Sequence, residues 1–196
     1  MVQTASPPAL PQDLQQLVDV WLEVERQTDI LLEPLDDEQF NWAPASGVWS
    51  IAQCFDHLNT ANALYMSRLQ PAVDDALAAG HMRGGPIAST WFGRRFIASL
   101  QPPVRIKMKA PGKIVPAVRK RKAEVWPEFV RQHIHLRSFI SERCGQVDLN
   151  TARFRNPFVP VIWMRAGTAL GVMAAHDRRH LVQAQQIRQS PGFPRS

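Results

Sequence analysis

Apolar residues recur along this chain at helical spacing in four long stretches, and with the alternation of a strand pair almost nowhere. From Gln12 to about Glu33, Leu14, Leu17, Val18, Trp21, Val24, Thr28, Leu31 and Leu32 follow a 3.6-residue period. Pro34 and the acidic Asp36-Asp37-Glu38 read as the close of this first helix. A loop with Trp42 and Trp49 follows, and both indoles are expected to pack beneath it. Ser50 is a good N-cap, with Gln53 completing a capping box, for a second helix from Ile51 to about Ala79. Its apolar face is Ile51, Cys54, Phe55, Leu58, Ala61, Tyr65 and Leu69, and Pro71 is expected to kink or split it. Ala117 to about Gly145 resumes the helical period through Val118, Val125, Phe129, His133, Leu136, Phe139 and Ile140. Pro127 there argues for a kink or a later start, and Gly145 for a C-cap. The last helix lies in Ala166–Ser190.

Between the second and third long helices the pattern changes. Gly80–Pro86 breaks it, Trp91–Leu100 forms a short helical piece, and Gln101–Pro116 holds four prolines around alternating Val104, Ile106 and Met108, an extended loop. Val147–Val161 is also irregular. Four long amphipathic segments with no convincing strand pair predict an all-α protein, a four-helix bundle whose long crossover permits an up-down-down-up order. The expected organisation is a loose arm at 1–11, one helical domain at 12–190 and a short tail at 191–196.

Composition narrows the class. The 196 residues are 45% hydrophobic, enough for one ordinary core, with no apolar run long enough to span a bilayer and no signal peptide at Met1–Leu10. Cys54 and Cys144 form neither a CxxC pair nor a disulfide framework, and read as small buried hydrophobes in a reducing, cytoplasmic protein with no membrane partner.

Charge is distributed unevenly. Residues 1–75 carry twelve acids against two bases, 76–123 eleven Lys and Arg with no acid, and 124–196 ten bases against five acids. The basic block carries no nucleic-acid recognition motif and few aromatics, Trp91, Phe92 and Phe96, so nucleic-acid binding is not expected. An anionic small substrate accounts for it, and so does pairing with the acidic region. That pairing is either internal to a monomer or made across a two-fold homodimer, with Trp42, Trp91, Phe92 and Phe96 as its apolar core. The homodimer is the favoured expectation.

The chemistry lies in the last helix. At 100° per residue, Ala169, Val172, Met173, His176, His180, Ala184 and Ile187 share one face, so both histidines sit in an inward stripe. Imidazoles four apart can share one metal ion. The pair is not the zincin motif, because Asp177 follows the first histidine. A third ligand is needed, and His57, on the flank of the second helix beside Cys54 and Ala61, is the best in the chain. Without a metal, the same residues would be core histidines bonded to carbonyls.

Two motifs carry a family resemblance. Gly47-Val-Trp49-Ser50-Ile-Ala-Gln-Cys-Phe-Asp56-His57-Leu58 resembles the entry to the second helix of DinB-like, damage-inducible proteins, a family unrelated to the DNA polymerase of the same name. His176-Asp-Arg-Arg-His180-Leu-Val-Gln183 resembles their terminal HxxxHxxQ signature, and the likeness extends from about Gln12 to Gln189. It implies an up-down-down-up four-helix bundle holding a divalent ion (nickel, zinc, iron or manganese) on His57, His176 and His180. Members include metal-dependent thiol transferases using bacillithiol or mycothiol, maleylpyruvate isomerase, and the helical domain of sulfoxide synthases. The last use HxxxHxE, and Val182 stands here in place of that Glu.

Three neutral imidazoles leave an open coordination position, as catalytic sites do. The expected function is thiol transfer onto, or hydrolysis of, a small electrophile, with a low-molecular-weight thiol as the cofactor of the transfer. The competing expectation is a non-enzymatic stress-related or interaction protein in which the metal only locks the bundle. Gln183, on the face of the two histidines, is the candidate to orient a bound water. Asp56 and Asp177, pointing about 100° away from their neighbouring ligands, are candidates to support a ligand on an adjacent helix. Arg178 and Arg179 are expected to face solvent.

Overall fold

The computed structural model describes residues 9–103 and 110–195. Residues 1–8 of the expected arm, the alternating Val104, Ile106 and Met108, and Ser196 lie outside the described residues. The long helices are α1 (Gln12–Leu32), α3 (Ile51–Ala78), α5 (Lys122–Phe139) and α6 (Ala166–Arg188), with short helices α2 (Asp37–Asn41) and α4 (Trp91–Leu100) between them.

The clustering of core residues shows the directions of the helices. At one end, Leu14, Val18 and Trp21 from the start of α1 meet Tyr65, Leu69 and Val73 late in α3, Leu136 and Phe139 late in α5, and Ala169 and Leu170 early in α6. At the other end, Leu31 and Leu32 of α1 meet Ile51, Phe55 and Leu58 of α3, Val125 and Phe129 of α5, and Ala184 and Ile187 of α6. Thus α1 and α6 run one way, α3 and α5 the other, which is the up-down-down-up order. α3 packs against α6 and α5, α1 packs against the same two, and the 80–121 crossover returns the chain along the bundle. Each large apolar side chain buried in these seams contributes about 1.5–3 kcal/mol.

Several local expectations are corrected. α3 is not split at Pro71 but continues through it, because packing against the neighbouring helices on both sides of the proline outweighs the one lost hydrogen bond. α5 takes the later start that Pro127 argued for, at Lys122 rather than Ala117, carries Pro127 inside it, and ends in a π-turn at Ile140–Cys144 with Gly145 as the expected C-cap. Asp36 does more than close α1: with Gln39 it forms a capping box that starts α2. The segment read as irregular, Val147–Val161, holds one strand, β1 (Arg153–Arg155), which pairs antiparallel with β2 (Trp163–Arg165) just beyond it, Phe154 opposite Met164. Trp42 is half-buried edge-on against Phe193, ring centroids 5.4 Å apart, and Gln39 donates to the carbonyl of Pro194 (3.0 Å).

α4 lies along the first half of α6, and small residues set the closeness of the two. A Cβ at Gly171 would fall 2.9 Å from Ile97 Cδ1, and one at Gly93 2.9 Å from Thr168 Cγ2. With α4 on one side and the bundle on the other, Ala166 to Leu170 are buried all round.

Candidate metal centre

The site forms where α3 begins and α6 passes its midpoint. Ser50 Oγ accepts from the Gln53 amide (3.2 Å) and Gln53 Oε1 from the Ser50 amide (3.0 Å), which fixes the start of α3. Two turns on, His57 faces α6. There His176 and His180, one turn apart, turn their rings toward it, with ring centroids 4.7–5.0 Å apart among the three. Trp49, just before the cap, lies with its ring centroid 4.9 Å from that of His57 and stacks on His180 at 5.6 Å and 24°. It forms a wall that the sequence reading did not assign.

All three expected ligands therefore meet. His57 Nε2 is 3.1 Å from His176 Nε2, and His180 Nε2 is 3.2 Å from the same atom. Ligand atoms of the three lie within 4.8 Å of one another. Nitrogens bound to one tetrahedral zinc at the usual distance stand about 3.3 Å apart.

The far ring nitrogens show why two of these atoms are lone pairs. His57 Nδ1 is 2.6 Å from the carbonyl of Ile114, which can only accept, so Nδ1 carries the proton and a neutral ring leaves Nε2 bare. His180 Nδ1 is 2.9 Å from Gln183 Oε1, with the same consequence. Two lone pairs thus converge on His176 Nε2, which has at most one proton to share. The donor set fits a cation.

Ile114 comes from a 3-10 turn, Gly112–Ile114, in the crossover. The turn is strapped down beside the site: the Ala117 amide donates to Asp56 (2.9 Å), Asn41 exchanges two hydrogen bonds with Lys120 (2.8 and 3.0 Å), and the Lys122 amide donates to Asp37 (2.7 Å). Asp56 therefore supports His57 through the strap, not by touching a ligand.

Burial keeps the three rings neutral. It pushes the pKa of His57 down, partly opposed by the Ile114 hydrogen bond. It pushes His176, partly exposed at its edge yet ringed by protein atoms, down to about 4, and His180 well below the ordinary value, with repulsion among the rings adding to both. A neutral imidazole is the form that binds metal.

The remaining candidates fall as follows. Gln183 sits on the Nδ1 side of His180, where it orients the ring. Asp177 is fully buried and accepts from Trp21 Nε1 and Asn62 Nδ2, each at 3.0 Å, rather than from a ligand. Arg178 is exposed as expected, but Arg179 is buried, 9% exposed, because α6 is covered on more than one face. Cys54 and Cys144 are fully buried, and burial pushes both thiols up, Cys144 to about 12, so neither is a nucleophile at neutral pH. Among the described residues, no helix is long and apolar enough to cross a membrane.

No curated protein and no solved structure matches the chain. The family model of the DinB superfamily matches residues 21–184, which takes in all three histidines, the cap at Ser50 and the strap. By fold, motif and family match, the chain belongs to the DinB superfamily.

Proposed function

We propose that the protein is a metal-dependent enzyme acting on a small electrophile, by transfer of a low-molecular-weight thiol or by hydrolysis. The observation that carries this reading is the convergence of three Nε2 atoms, two with their protons committed to Ile114 and Gln183 on the far side. His57, His176 and His180 would hold a divalent ion, with nickel, zinc, iron and manganese all compatible with imidazole donors. When bound, such an ion lowers the pKa of a coordinated water or thiol and so supplies a nucleophile at neutral pH. The chain does the rest. Ile114 and Gln183 fix the rings, Trp49 excludes water from one side, and the acid-free 76–123 segment draws anions toward the centre.

Elemental analysis of purified protein, followed by turnover assays pairing thiols with electrophiles, tests the reading. Bound metal with turnover that chelation abolishes supports an enzyme. Stoichiometric metal whose removal melts the bundle, with no turnover, supports the structural alternative.

We also propose a homodimer in which the acidic α1 of one copy meets the basic crossover of the other. Trp91 and Phe92 on α4 are 59% and 77% exposed, and Leu22 and Ile30 stand exposed on the outer face of α1 among Asp19, Glu23 and Asp29. Sedimentation at low and high salt decides it: a monomer at micromolar concentration in both excludes the dimer.

A further inference from the structure

A second polar cluster lies beside the three histidines, centred on Asp177. It is the only fully buried carboxylate among the described residues. Each of the other long helices sends one group to it: Trp21 Nε1 from α1 (3.0 Å), Asn62 Nδ2 from α3 (3.0 Å) and His133 Nε2 from α5 (3.2 Å). Four helices thus meet on one side chain, and that side chain is next in sequence to His176.

The electrostatics of the neighbourhood need such a group. Three neutral imidazoles bring no charge to a dication, and Arg179, buried in the same turn of α6, adds a positive charge. A dication held by imidazoles alone in a buried site is stabilised by a buried negative charge in its neighbourhood, where the dielectric is low. The charge of Asp177 favours a positive charge at His57 and His176, as that of the partly exposed Asp56 does at His57, and that of Arg179 disfavours it at all three.

We propose that Asp177 is the counter-charge of the three-histidine centre, a carboxylate that touches no ligand but sets the affinity for a divalent cation through its field. The inference rests on the three-histidine reading. Trp21 and Asn62 donate to its Oδ2 and Oδ1, so the carboxylate is held in place before any ion arrives.

The test is the Zn2+ dissociation constant of the metal-stripped full chain, read by competition with a chromophoric chelator, with the fold followed by circular dichroism. Asp177→Asn keeps the shape and removes the charge, and is expected to weaken binding about ten- to a hundredfold. Trp21→Phe removes a donor and keeps the charge, and is expected to lower stability while leaving the constant within about twofold. Asp177→Asn within twofold of wild type overturns the proposal. So does a loss in Trp21→Phe as large as that in Asp177→Asn, since anchoring rather than charge would then explain both. If Asp177→Asn does not fold, Arg179→Met decides: it is expected to bind several-fold tighter, and unchanged or weaker binding overturns the counter-charge. Wild-type protein that takes up no Zn2+ overturns the three-histidine reading and this inference with it.

Discussion

Two buried polar clusters stand side by side in the bundle, and they are built in opposite ways. Around Asp177, an acceptor meets donors: its two oxygens take N–H groups from Trp21 and Asn62 at 3.0 Å. Around His57, His176 and His180, two acceptors converge on one ring nitrogen. The donors of His57 and His180 point outward to Ile114 and Gln183, and their bare Nε2 atoms face His176 Nε2 at 3.1 and 3.2 Å. A cluster of the first kind satisfies its carboxylate from within and ties helices together. One of the second kind is complete only with a cation, because buried lone pairs without a partner are costly. The difference separates a structural junction from a binding site without reference to any ligand.

The strongest way to break this comparison is to remove a ligand. His57→Ala, His176→Ala and His180→Ala should each lose most of the bound metal by elemental analysis while the bundle stays helical, since two imidazoles cannot hold the ion alone. Full stoichiometry in any one of them would take that residue out of the site.

Acid should act on the same cluster next. The three imidazoles are neutral in the fold with pKa values below the ordinary 6.5, His176 at about 4. Between those values the unfolded chain binds more protons than the native one, so stability falls as pH drops from about 6.5 toward 4. Each fully shifted histidine removes up to about 1.4 kcal/mol per pH unit in that window. Bound metal should leave over the same range, as its ligands take up protons. Denaturant midpoints and metal content measured from pH 7.5 to 4.5 check both, and a flat profile would mean that the rings are solvated.

How much of this the sequence showed follows from the same contrast. The helical periods of α1, α3, α5 and α6 reflect one-sided burial, so they could be read directly, as could the Ser50–Gln53 box and the four-residue spacing of His176 and His180. His57 was reachable because its flank position left it pointing toward a neighbouring helix. The groups that complete both clusters were not. Ile114 contributes a carbonyl, which every residue has. Asp177 was read as pointing away from the ligand stripe, which is true, but only the packing of four helices makes that second direction the centre of the bundle. Arg179 was assigned to solvent by a one-face rule that fails where α6 is covered on more than one side. Strands of three residues, as in β1 and β2, are too short for alternation to register.

The junction should respond to its own changes. Trp21→Phe deletes a buried donor to a carboxylate and leaves a void where the indole was, with an expected loss of about 2–4 kcal/mol in urea unfolding. Metal content at saturating ion should stay stoichiometric. A loss below about 1 kcal/mol would show that Asp177 is not held by this bond.

The smallest effect is expected at the rim of the junction. His133 Nδ1 lies 3.3 Å from Glu25 Oε1, and Glu25 pairs in turn with Arg137, so the cluster reaches the surface through this one chain of contacts. Both outer side chains are partly exposed, 14% for Glu25 and 22% for Arg137, where water screens the pair. Glu25→Gln keeps the length and the acceptor oxygen, so the remaining change is a partly screened charge, worth about 0.5–1 kcal/mol in urea unfolding. Metal affinity should not move, because Glu25 meets the cluster only through His133, and its charge is partly screened by water and paired with Arg137. A loss comparable to that of Trp21→Phe would mean that the two ends of the junction act as one coupled network. The double variant would show this directly, since independent sites add and coupled ones do not.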